Sequence, residues 1–162
     1  MKIASIAFTE NGAKIVKMLV HEMGVKGYVF EKYKTDGLEI FNNVSSLVRD
    51  VFKKYNAIVF VGACGIAVRS IAPYVKDKAK DPAVVVVAIP ILSGHIGGAN
   101  DLAEKIAALT SGVAVITTAT DINKKFSVDT FAVRNNLHIG DTKLIKEISS
   151  RILNDKKVGL YT

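Results

Sequence analysis

The sequence predicts an α/β domain, doubly wound in the Rossmann-like manner around a mostly parallel sheet with helices on both faces. Three observations lead there. Strand-like and helix-like patterns alternate along the 162 residues. The strand candidates are apolar throughout, as in Val84 to Val87, which suits strands covered by helices on both faces. The helix candidates carry their apolar residues as a stripe on one side. With 49% hydrophobic and 23% charged residues and only three prolines, the chain can fill a compact core and does not have the composition of a disordered one.

Each element follows from its own pattern. Lys2 to Phe8 reads as a buried first strand rather than a signal peptide, because one cation and a brief apolar run are followed at once by Thr9-Glu10-Asn11-Gly12. From Ala13 to Met23 the residues Val16, Val20 and Met23 share one face of an amphipathic helix. Lys26 to Glu31 is a second strand. Leu47, Val48, Val51, Phe52 and Tyr55 recur at helical spacing and lead into the β-branched run Ala57 to Val61. Cys64, Ala67, Val68, Ile71 and Ala72 form the next helical stripe, with Pro73 near its end. The apolar run Ala83 to Leu92 contains Pro90, which cannot donate a ladder hydrogen bond within a central strand. It fits two strands with turn residues missing between Val87 and Ser93, or a Pro90 placed at an edge or bulge. Ala99, Leu102, Ala103, Ile106 and Ala107 mark a further helix, and Gly112 precedes a short strand, Val113 to Ile116. Asp129 to Leu153 reads as one or two outer helices. The expected organisation is an α/β domain over residues 1–156, with 157–162 opening a following region of a longer polypeptide.

Bulk properties exclude several classes. No apolar run approaches the length of a membrane span, so a cytoplasmic protein with no membrane partner is expected. Cys64 stands alone, which excludes an intrachain disulfide framework and a cysteine-rich zinc site. His21, His95 and His138 lie in different segments without paired-ligand spacing, so no metal site is expected. The formal charge of +7 favours an acidic partner through long-range attraction. The cations are dispersed and no nucleic-acid recognition motif accompanies them, so that partner reads as a small polyanion rather than nucleic acid.

The chemistry-bearing residues follow strands, where open α/β sheets place their ligand crevice. Gly62 and Gly65 permit a tight strand-to-helix turn whose free amides can meet an anion, with Arg69 close behind. The spacing matches neither a dinucleotide fingerprint nor a phosphate loop, which leaves a nucleotide-binding module as a distant alternative. Ser93-Gly94-His95-Ile96-Gly97-Gly98-Ala99-Asn100 gathers an imidazole, a hydroxyl and an amide around three glycines just before a helix. His95 suits a general base, and helix N-terminal amides suit an oxyanion or carboxylate. The same residues also suit a capped turn, and both readings stay open. Thr117, Thr118 and Asp121 follow a strand and either reach the same crevice or cap the next helix. Cys64 near a helix start reads as a small packed residue or a thiol of lowered pKa.

Taken in order and spacing, Gly62 to Pro73, Lys78, Asp81 to Val87, Ser93 to Asn100 and Thr117 to Asp121 closely resemble the signature of the cobalamin biosynthesis protein G family. The resemblance is specific from about Asn56 to Asp129 and weaker through to Tyr161. It implies a cobalt-precorrin-5A hydrolase of anaerobic cobalamin biosynthesis, which opens a δ-lactone and releases acetaldehyde to give cobalt-precorrin-5B. No added cofactor is implied, because the anionic tetrapyrrole substrate carries its own cobalt. On this reading His95 is the general base and Asp121 orients it or contacts substrate. Gly62, Gly65, Arg69, Lys78, Ser93, Gly94, Gly97, Gly98, Asn100, Thr117 and Thr118 bind substrate. Homo-oligomers or contacts with neighbouring pathway enzymes fit this role, as does a non-catalytic tetrapyrrole-binding or docking domain. Two departures from the family pattern stand out: the charged hairpin turn usual before the Ser93 motif is lacking, and family members carry a further carboxy-terminal domain.

Overall fold

A computed structural model describes residues 1–77, 79–116 and 125–159. The chain divides into two compact units, Met1–Val115 and Ile116–Thr162.

In the first unit six strands form one sheet: β1 (Ile3–Ala7), β2 (Lys26–Phe30), β3 (Glu39–Phe41), β4 (Ala57–Val61), β5 (Ala83–Val86) and β6 (Ile89–Leu92). Their order across the sheet is β3-β2-β1-β4-β5-β6. The first five run parallel, in register from Ala4 beside Lys26 and Ile58, and from Ala57 beside Ala83. Helices α1 (Glu10–Met23), α2 (Val44–Lys54), α3 (Cys64–Ile71) and α4 (Ala99–Leu109) fill the connections. The doubly wound architecture is therefore present, on a sheet that is mixed rather than wholly parallel.

Alternation along the strands builds two cores. Ala7, Val29, Val59, Val61 and Val85 face α1 and α4, meeting Val16, Leu19, Leu102 and Ile106. Ala4, Ile6, Ile58, Phe60, Val84 and Val86 face α2 and α3, meeting Val48, Val51, Ala67 and Ile71. A strand buried on both sides has no polar face to show, which is why the sequence of β4 reads as continuous apolar residues. Local chemistry sets the helix ends. Thr9 accepts a hydrogen bond from the Gly12 amide at 3.1 Å to start α1, and Gly24, at φ 63°, ends it in a left-handed cap. Asn43 starts α2 by accepting from the Ser46 amide at 3.0 Å.

Two points of the sequence reading need correction, and one open choice is resolved. The short edge strand β3 has no counterpart in the sequence reading, because its three residues leave no periodicity to read. The run Ala83 to Leu92 is a hairpin: β6 returns antiparallel to β5, Pro90 lies on what is the edge strand among the described residues, as one of the two expected alternatives allowed, and a register irregularity sits at Val84/Val85. Two residues turn the corner, Val87 at φ 24° and Ala88 at φ 66°. Residues 113–116 form no strand; Val113 is exposed, and the Val115 amide bonds the Ala88 carbonyl at 2.9 Å.

The second unit contains helices α5 (Val128–Arg134) and α6 (Thr142–Leu153), where the sequence anticipated one or two. Phe126, Val128, Phe131, Ile148 and Ile152 line an apolar groove within it. Among the described residues, no helix is long and apolar enough to cross a membrane.

Candidate functional site

The direction of β6 decides where the Ser93 to Asn100 loop lies. Leu92 pairs with Val84 near the start of β5, so the loop emerges at the amino edge of the parallel strands. Ser93 Oγ donates to the Asp81 carbonyl just ahead of β5, at 3.1 Å. The loop is closely folded on itself. The Gly98 amide bonds the His95 carbonyl at 3.0 Å, the Ala99 amide bonds Ser93 at 3.2 Å, and the Asn100 amide bonds Gly94 at 3.0 Å. Gly98 enters α4 at φ 78°, a conformation that favours glycine. Gly94 and Gly97 are demanded by space: a Cβ on Gly94 would stand 2.8 Å from Asn100 Oδ1, and one on Gly97 2.4 Å from Ser93 Cβ. Ser93 and Asn100 are buried, whereas His95 is half-buried.

Beside this loop is an amino-edge cavity of about 610 Å³, lined in part by Ile96, Gly97, Asn56, Tyr55, Lys53 and Lys80. Lys53 and Lys80 give it a cationic rim, and both are exposed; Asp81 also lines it, its carboxylate turned to backbone amides. The loop before β5 is held by Asp81, whose Oδ2 accepts from the amides of Lys76 at 2.7 Å and Asp77 at 2.9 Å. Tyr55 hydroxyl meets Tyr28 hydroxyl at 2.9 Å, and Lys2 Nζ lies 4.7 Å from the Tyr55 ring centre. Burial, reinforced by the bond to Tyr55, pushes the Tyr28 phenol well above its ordinary pKa and keeps it neutral.

Gly62, Gly65 and Arg69 lie at the other edge. They follow β4 at its carboxyl end, where the strand order reverses between β1 and β4, so the two connections leave to opposite faces. A strand of this length spans roughly 15 Å. The sequence expectation that the Gly62 to Arg69 turn and the His95 loop meet in one crevice is therefore corrected: a hairpin reverses the chain between them. At the carboxyl edge a crevice of about 620 Å³ is walled by Phe8, Phe30 and Phe41 and rimmed by Asn42, Ser45 and Arg69. The Arg69 guanidinium folds back over the first turn of α3, such that a Cβ on Gly65 would lie 3.1 Å from its Nη1. Cys64 is exposed at the start of α3 rather than packed.

Lys78, Thr117, Thr118 and Asp121 lie outside the described residues. Among the described residues no group of three or more His, Cys, Asp or Glu side chains could hold a metal ion. The aromatic wall, Asn42 and Ser45 escaped the sequence reading because they come from four separate elements whose ends only the sheet order brings together.

Comparison with known proteins gives a consistent pattern. The family described as Cobalamin synthesis G N-terminal matches residues 46–121, and the one described as Cobalamin biosynthesis central region matches residues 126–162. A cobalt-precorrin-5A hydrolase of Salmonella typhimurium is 36% identical over 167 residues, covering 98% of this chain and 48% of the relative. A cobalt-precorrin-5A hydrolase of Priestia megaterium is 32% identical, covering 97% and 46%. The crystal structure of a cobalamin biosynthesis protein G homolog from Sulfolobus solfataricus superposes with a TM-score of 0.54 at 26% identity, over 99% of this chain and 50% of that one. The chain spans about half the length of the curated relatives it matches.

Proposed function

Because this chain belongs to the cobalamin biosynthesis protein G family, matching its N-terminal and central regions, we propose that it is the part of a cobalt-precorrin-5A hydrolase that binds the tetrapyrrole and carries the general base. The observation that carries this reading is the Ser93 to Asn100 loop, whose Ile96 and Gly97, the residues next to His95, line a cavity rimmed by Lys53 and Lys80. Lactone opening needs water to attack an ester carbonyl, a base to take its proton, and donors for the oxyanion. His95 takes the proton. The turn around Gly97, Gly98 and Asn100 cradles the carbonyl oxygen or a neighbouring carboxylate. Ser93 fixes the loop through its bond to Asp81. Lys53 and Lys80 attract the acetate and propionate arms of the substrate. Once the lactone is open, the former ester oxygen holds a hydroxyl on the carbon to be lost. Loss of that proton forms the acetaldehyde carbonyl, and the electron pair of the broken carbon–carbon bond returns to the macrocycle. No cofactor enters this scheme.

A second reading is favoured by the self-satisfied geometry of the loop: a turn this well bonded also serves as pure scaffold, with the domain binding substrate and catalysis supplied from elsewhere. Acetaldehyde release from cobalt-precorrin-5A by the full-length protein separates the two. His95→Ala is expected to cut turnover by about a hundredfold or more while leaving the protein folded and substrate-binding, the usual scale for a lost general base. Turnover unchanged by the substitution would assign the domain to binding alone.

A further inference from the structure

We infer that the carboxyl-edge crevice is a second ligand site, separate from the His95 loop, for a small organic anion that joins a flat apolar body to a carboxylate or phosphate. Its position is the first argument. The sheet order reverses between β1 and β4, and the crevice opens where those strands end, on the face covered by α2 and α3. Its chemistry is the second. Phe8, Phe30 and Phe41 form an apolar wall, with Phe8 and Phe41 edge to face at 5.7 Å and Phe8 stacked on Phe60 at 6.4 Å, so the wall is rigid enough to meet a planar group. Arg69 stands at the rim, and among the described residues it has no carboxylate partner. Among the described residues no acidic one lines the crevice. Asn42 and Ser45 add exposed polar groups whose side chains make no hydrogen bond among the described residues. The volume of about 620 Å³ suits one small molecule. A guanidinium set against an aromatic wall selects a ligand with an anion at one end and a flat ring at the other.

Isothermal titration of the full-length protein with indole-3-acetate and, separately, with adenosine monophosphate tests this, the first supplying a carboxylate and the second a phosphate. At least one is expected to bind the wild type at millimolar concentration or below, more weakly as salt is raised, and whichever binds tighter identifies the anion. Arg69→Met is expected to weaken that binding about tenfold, with Arg69→Lys in between. Ser45→Phe, which places a ring in the crevice and keeps the cation, is expected to weaken it as well. His95→Ala is expected to leave it unchanged. Failure of both probes to bind, indifference to both Arg69→Met and Ser45→Phe, or equal loss in His95→Ala would overturn the assignment. None of these readouts involves lactone hydrolysis, so failure here leaves the His95 reading standing, and the reverse holds too.

Discussion

A Cβ on Gly97 would lie 2.4 Å from Ser93 Cβ and 2.8 Å from the Ser93 carbonyl oxygen, and neither neighbour is a flexible chain end. Gly97→Ala is therefore expected to cost about 2 kcal/mol through overpacking, seen as a lower urea midpoint with an unchanged slope. An unchanged midpoint would mean that the loop is looser than its hydrogen bonds imply. The Tyr28 phenol makes a separate prediction. Burial first, and then the Tyr55 hydroxyl, raise its pKa above the ordinary 10.0, so the folded protein holds this proton more tightly than the unfolded chain. Its stabilising contribution is complete below pH 10 and declines as pH rises beyond that value. Tyr28→Phe removes the titrating group: the loss of stability on moving from neutral to strongly alkaline urea titrations should be smaller in the variant than in the wild type. Equal alkaline losses in the two proteins would show that Tyr28 titrates freely. Both residues look ordinary in the sequence, since a glycine among glycines and a strand tyrosine disclose nothing about the neighbours that constrain them.

Among the elements, the hairpin β5–β6 is the one that most shapes the molecule, and its two-residue turn is poorly suited to its residues. Val87 and Ala88 both take positive φ, where left-handed backbone costs a side-chain-bearing residue about 1–2 kcal/mol. Asn-Gly is the preferred pair for such a turn. Replacing Val87-Ala88 by Asn-Gly gives up a half-buried valine and one methyl yet relieves two unfavourable positions, for an expected net gain of about 1 kcal/mol in thermal or urea unfolding. A loss of stability instead would show that Val87 packing outweighs the turn. The sequence narrowed this element to two choices and favoured neither. Pro90 required an edge or a bulge, and the pairing of β6 supplied the edge.

At the scale of the whole molecule, both hydrophobic cores are assembled from residues of the first unit alone. Residues 1–115 expressed by themselves are expected to fold and melt cooperatively by circular dichroism, whereas a broad or absent transition would show that the core depends on the remainder. The α/β class, most helices and strands, and the family motifs were determined by the sequence alone, because apolar periodicity and turn chemistry act between near neighbours in the chain. Which motifs share a site was decided only by the tertiary structure. Gly62, Gly65 and Arg69 belong to one edge of the sheet and Ser93 to Asn100 to the other, because the direction of a strand is set by hydrogen bonds to a partner strand, and no local pattern around Ser93 reports that β6 runs back along β5.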